Sequence, residues 1–161
     1  MTPNRKAFLD MLAKAEGTST VVGSDNGYNV LVGSLPKKPM LFKDYSKHPH
    51  IYNRALNSTA AGRYQIIFST YIRLCKILKT TSFSPATQDA MAIELIRSRG
   101  ALALIDAGNI DAACDRLHDE WASLPGGSSG QHQQTLSFLK TAFVAAGGTL
   151  YEATPHVNPT S

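Results

Sequence analysis

Ala7, Phe8, Met11, Leu12 and Ala15 recur at helical spacing and predict a helix over Pro3 to Ala15 that buries one face. Thr2 suits the N-cap, Pro3 the first helical position, and Gly17 stops the helix just after Glu16. Two short β-prone runs follow, Tyr28 to Val32 and Met40 to Tyr45. Between them lies the turn-forming stretch Gly33-Ser34-Leu35-Pro36-Lys37-Lys38-Pro39, which predicts a small hairpin. From Ser69 onward the period is helical. Ser69 is read as the cap of a helix burying Ile72, Cys75 and Leu78, and Ser84-Pro85 opens another that runs through Ala90, Ile93 and Ile96 to Gly100. A short helix from Leu102 to Ala107 stops at Gly108. Asn109 caps the next, with Ile110, Ala113, Cys114, Leu117 and Trp121 on one face and Pro125-Gly126-Gly127 as its stop. A last helix from about Gln133 carries Leu136, Leu139 and Phe143 to Gly147-Gly148. The fold class this predicts is α+β and mainly α, a small N-terminal hairpin beside a helical bulk, with a loose tail over 154–161.

The 161 residues, 43% of them hydrophobic, fit one domain spanning 1–161 with a sizeable core. No apolar run reaches membrane-spanning length, and Met1-Thr2-Pro3-Asn4-Arg5-Lys6 lacks the hydrophobic region of a signal peptide. Cys75 and Cys114 fall inside apolar helical patterns and read as free, buried thiols. The net charge of +4 hides an asymmetry: residues 1–80 carry twelve Lys or Arg against four acids, and the remainder four against eight. A basic half of this kind favours an anionic polymer, whether nucleic acid, an acidic membrane surface or cell-wall glycan with its carboxylates.

Candidate chemistry centres on Glu16. A carboxylate at the end of a packed helix is partly desolvated, and the negative end of the helix dipole disfavours its charged form. Both effects hold a proton near neutral pH, as a general acid for glycoside cleavage requires. His48-Pro49-His50 has no Cys or acidic residue at supporting spacing, so it reads as a surface pair rather than a metal site. Asp115, His118, Asp119 and Glu120 read as a solvated helix face, and neither a phosphate-binding loop nor a nucleophile elbow is present.

Several stretches carry a resemblance in order along the chain: Arg5 to Ala13, Glu16-Gly17, Asp44-Tyr45-Ser46, Ala61-Gly62-Arg63-Tyr64-Gln65, Arg99-Gly100-Ala101-Leu102 and Trp121-Ala122-Ser123-Leu124-Pro125-Gly126. With them the chain resembles the bacteriophage lambda endolysin (lambda lysozyme) family of peptidoglycan lytic transglycosylases, with a lysozyme-like fold. The resemblance implies cleavage of the β-1,4 bond between N-acetylmuramic acid and N-acetylglucosamine without water, giving a 1,6-anhydro end, with Glu16 as the catalytic residue. One carboxyl suffices when the nucleophile, the C6 hydroxyl, belongs to the substrate. It further implies glycan contacts by Tyr45, Ser58, Tyr64, Gln65 and Gln131, with turn chemistry and packing as the other reading; for Tyr64 the two weigh equally. The loop Gly127-Ser128-Ser129-Gly130-Gln131 lacks the tyrosine this family carries there, which implies altered subsite binding. No metal or cofactor is implied. Peptidoglycan glycan strands are the implied partner, with no nucleic acid and no membrane span. The protein is expected to be a monomer made in the host cytoplasm, which reaches the periplasm and wall through a membrane lesion formed by a holin. The loops from His48 to Asn57 and from Leu124 to Gln134 are expected to open and close over the glycan.

Two alternatives stay open. Asp25, nine residues after Glu16, resembles in spacing the acid pair of hydrolytic phage T4-type lysozymes, although Leu31 stands where that pattern has threonine; its other reading is a loop residue capping a turn. The second is a non-catalytic basic module that stacks nucleic-acid bases on Tyr45, Tyr52, Tyr64 and Tyr71.

Overall fold

Helix α1 covers Pro3–Ala15, as its capping signals predict, in a computed structural model that describes residues 1–128 and 132–152. The Thr2 hydroxyl accepts the Arg5 amide, and Pro3 opens the first turn. The burial differs from the expected single face. Ala7, Phe8, Leu9, Met11, Leu12, Ala13 and Ala15 are all buried, and beyond the first turn only the strip Lys6, Asp10 and Lys14 reaches solvent. Thus α1 runs through the protein rather than over it, and its C-terminal end is delivered to the interior edge of a cleft.

Five further α-helices wrap it: α2 (Phe68–Leu78), α3 (Pro85–Ser98), α4 (Leu102–Asp106), α5 (Ile110–Leu117) and α6 (Leu136–Ala145). Successive pairs from α2 to α6 pack together, while α6 and α4 also lie against α1. One apolar cluster joins them, with Phe8, Met11, Leu74, Met91, Ile96, Ile110, Leu117 and Phe143 at its centre. Asn4 clasps the far end of the chain: its amide donates to Thr149 O at 3.2 Å, and its side-chain oxygen accepts from Thr149 N at 2.9 Å.

Four expectations need correction, the first being the face that α2 buries, which is Tyr71 and Leu74 rather than Ile72, Cys75 and Leu78, of which Ile72 is exposed and the other two half-buried. Ser69 does not cap α2, which begins one residue earlier; Thr59, distant in sequence, accepts the Phe68 amide at 3.0 Å and does the capping. Helix α5 stops at Leu117, four residues short of Trp121, because the chain turns off to place the indole beneath the cleft. The hairpin is present only as bridges, and among the described residues there is no strand. Leu31 donates to Met40 O and Phe42 to Asn29 O, with a bridge between Val30 and Leu41. Turns with Gly27 and Gly33 at positive φ bracket this pairing and leave it too short for a sheet. The fold is therefore mainly helical, and the α+β reading overstates its sheet.

Candidate active site

At the end of α1 the Glu16 amide still bonds to Leu12 O, and Gly17, at φ +77°, then turns the chain out of the helix. A side chain at Gly17 would meet empty space but would be strained by that backbone. The Glu16 side chain projects beside the loop after α5, where Ser123 Oγ donates to Glu16 Oε1 at 2.5 Å. Burial pushes the Glu16 carboxyl above its ordinary range, and the Ser123 hydroxyl, by favouring the charged form, offsets part of that rise. A protonated carboxyl in a concave site is the state a general acid needs.

Glu16 sits between two hollows. The larger, of about 450 Å³, has Ser58, Gln65, Trp121 and His132 along it, with apolar wall from Val32, Leu56 and Ile67. The smaller, of about 200 Å³, runs along Thr18 and residues 30–34. Glu16 and Gln65 border both, so a linear chain of rings passing from one hollow to the other would cross the carboxyl. Both flanking loops contribute, the first through Leu56 and the second through His132. A different hollow, of about 590 Å³, lies by Cys75, Lys76 and Lys79 and has no acid in its lining.

The motif Ala61 to Gln65 divides its residues between wall and core. Gly62 stands at φ +81°, and a Cβ there would fall 2.2 Å from Gln88 Oε1, the atom that accepts the Arg63 amide; only glycine allows that approach. Arg63 turns inward, pairs with Asp10 at 2.6 Å, bonds Asn26 O and lies over the Tyr28 ring. Tyr64 also goes into the core, at 1% exposure, with its hydroxyl on Asp89 at 2.6 Å. Asp89 also accepts the Tyr28 hydroxyl, and burial, followed by that bond, pushes the Tyr28 phenol up to about 12. Gln65, at φ +50°, returns to the cleft with its amide anchored on Gly62 O at 2.9 Å. Ser58 lines the cleft, and its hydroxyl accepts the Ala60 amide.

The other candidates lie elsewhere. Tyr45 donates its hydroxyl to Asp25 at 2.9 Å, and neither residue belongs to the walls of the two hollows. Asp25 is exposed and sits in a turn, its carbonyl accepting the Tyr28 amide and its own amide bonding Asn29 Oδ1. Gln131 lies outside the described residues. His48, expected at the surface, is buried: Nε2 bonds Ile66 O at 2.8 Å, Nδ1 accepts the His50 amide, and Phe68, Tyr71 and Phe83 surround the ring. Cys114 is buried as expected, whereas Cys75 is only half-buried. Among the described residues no group of three or more His, Cys, Asp or Glu could hold a metal, and no helix is long and apolar enough to cross a membrane.

Ser123, Trp121, His132 and Glu120 are cleft residues that the sequence reading missed; Glu120, read as part of a solvated helix face, lies beyond the end of α5, half-buried and paired with Arg99 at 2.8 Å. The first two lie in the Trp121 to Gly126 stretch that carries the resemblance, so a signal was present. What was missing was the fold-back that brings Ser123 to a carboxylate 107 positions earlier.

Comparison with known proteins identifies relatives of the whole fold. A family model described as Endolysin matches residues 6–150. The endolysin of Escherichia phage P2 is 44% identical over 154 residues, covering 90% of this chain and 93% of that protein. The endolysin of Escherichia phage lambda is 45% identical over 153 residues, covering 92% and 94%. Among solved structures, bacteriophage lambda lysozyme complexed with a chitohexasaccharide superposes with a TM-score of 0.87 at 44% identity, over 93% of this chain and 97% of that one. A second structure of lysozyme from bacteriophage lambda gives 0.82 at 43% identity over the same shares.

Proposed function

Because the chain belongs to the endolysin family, we propose that it cuts the β-1,4 bond between N-acetylmuramic acid and N-acetylglucosamine in peptidoglycan by lytic transglycosylation, with Glu16 as both acid and base. The observation that carries this reading is the carboxyl of Glu16, buried at the junction of two hollows and bonded by Ser123, while the other carboxyl of the larger hollow, Glu120, is paired with Arg99 at 2.8 Å. The solved complex of the 44% identical lambda lysozyme with a chitohexasaccharide supports a linear glycan as the ligand of this cleft.

In the reaction the protonated Glu16 gives its proton to the bridging oxygen as the bond from muramic C1 breaks. The N-acetylglucosamine then leaves with a free 4-hydroxyl. Now ionised, Glu16 takes the proton of the muramic C6 hydroxyl while that oxygen closes onto C1, which restores the acid. No second protein carboxylate enters, in keeping with the exposed, Tyr45-bonded position of Asp25 and with the ion pair that ties Glu120 to Arg99. Ser58 and Gln65 supply polar contacts for acetamido and hydroxyl groups, and Leu56 and Ile67 supply apolar surface for a ring face. In this reading residues 1–161 form one catalytic domain. The protein reaches the wall through a lesion opened by another protein, such as a holin.

Digestion of purified wall followed by mass spectrometry tests the chemistry. Anhydromuropeptides, one water lighter than hydrolysed ends, are expected from the parent, and Glu16→Gln is expected to yield none. Reducing muramic ends would assign a hydrolytic lysozyme instead. Near-normal clearing by Glu16→Gln would remove Glu16 from the mechanism.

A further inference from the structure

The tip of the residue 30–42 hairpin combines features that, Leu56 apart, the cleft does not use. Val22, Leu35, Met40 and Leu56 are 66%, 56%, 44% and 55% exposed. They are brought together by short contacts: Val22 N bonds Pro36 O at 3.0 Å, Leu35 pairs with Lys38, and Gly33 faces Asn53 and Leu56. Lys37, Lys38 and Arg54 stand on the same tip, Lys43 and Lys47 follow along the outgoing arm, and all five are exposed. Among the described residues none of these five cations makes an ion pair. The two acids of the region have other partners: Asp25 takes the Tyr45 hydroxyl, and Asp44 takes the Ser46 amide.

We propose that this tip is a docking surface for a bilayer bearing anionic phospholipid headgroups. Unpaired lysines ringed by exposed aliphatic side chains suit an interface with phosphate at its surface and acyl chain just beneath. A soluble polyanion would use the cations and leave the aliphatic groups idle. A protein strand is a poor occupant, because Leu35 and Lys38 already bond each other through both backbone pairs and Pro36 and Pro39 offer no amide. Docking here is separate from the Glu16 chemistry, so its failure leaves the proposed reaction untouched.

Co-sedimentation of the full chain with vesicles tests it, comparing equimolar phosphatidylglycerol and phosphatidylcholine with phosphatidylcholine alone. The protein is expected to pellet with the first and stay soluble with the second. The double variant K37E/K38E is expected to weaken binding about tenfold or more, at roughly 1 kcal/mol for each basic residue near the surface. V22S/L35S is expected to lose the part of the binding that survives raised salt. Both should keep the helical circular dichroism of the parent. Equal pelleting with neutral vesicles would overturn the proposal, as would parental binding by both variants. Binding to heparin that falls in K37E/K38E, with vesicle binding indifferent to V22S/L35S, would assign the patch to polyanion recognition instead.

Discussion

On one side of the cleft, Glu16 and Ser123 are carried by the packed core: α1 is buried around most of its circumference, and Leu124, next to Ser123, is fully buried. On the other side, Ser58 and Gln65 ride on turns joined by single bridges, Asn53 to Ser58, Leu31 to Ala61 and Ala61 to Ile66, with Gln65 in the left-handed region. The acid is thus placed by apolar packing and the cleft-lining polar groups by backbone hydrogen bonds. Damage to the first wall should reach the chemical step, and damage to the second should reach binding. Arg63 and Trp121 tie the walls together, Arg63 through Asp10 on α1 and Trp121 through its indole N–H on Tyr64 O at 2.9 Å.

The largest effect that tests this contrast is Glu16→Gln, expected to lower wall clearing by about a thousandfold or more while raising stability. The sign follows from burial, which raises the carboxyl's pKa in the folded state. Stability from this group is present below the unfolded pKa and is lost as pH rises through the folded one. The variant should therefore melt above the parent at pH 8, with the gap closing toward pH 4; an unchanged gap would show that the carboxyl is not buried in solution. Next comes Arg63→Ala, which cuts the tie between walls, strips a cation from over the Tyr28 ring and should cost about 3 kcal/mol in urea unfolding. Ser123→Ala should lower kcat about tenfold with KM little changed, and move the alkaline limb of the pH profile upward, since the lost hydrogen bond had favoured the ionised acid. An unmoved limb would mean that Ser123 only packs.

His48 bears on the loop wall, which it pins to Ile66. Burial, the largest influence, pushes its imidazole below the ordinary value, so the neutral ring contributes stability above the unfolded pKa that is lost as pH falls through the folded one. Between pH 7 and pH 5 the parent should lose stability that His48→Gln does not lose, read from urea midpoints. The smallest effect is expected for Asp25→Asn, with clearing kept within about twofold, because a surface substitution away from the site changes little. A large loss there would restore the two-acid reading.

The helical wall was legible in the sequence because its signals are local. Thr2, Pro3 and Gly17 bound α1, Ser84-Pro85 opens α3, and Asn109 opens α5, each within a few residues of what it caps. The loop wall was less so, because its partners are far apart. Thr59 caps α2 across nine positions, His48 reaches Ile66 across eighteen, and Ser123 meets Glu16 across 107. Tyr64 shows the same limit: within one motif Arg63 and Tyr64 turn into the core and Gln65 turns to the cleft, and only the fold tells which.

Trp121 is the single tryptophan of the chain, 3% exposed yet lining the Glu16 cleft. Nature has in effect installed one fluorophore at the site of interest. Its emission should be blue-shifted and shielded from aqueous quenchers in the folded enzyme, should change in intensity as an oligosaccharide fills the cleft, and should shift to the red on unfolding. Ligand titrations and denaturation curves can therefore be read from the same native signal, with no label attached to either wall.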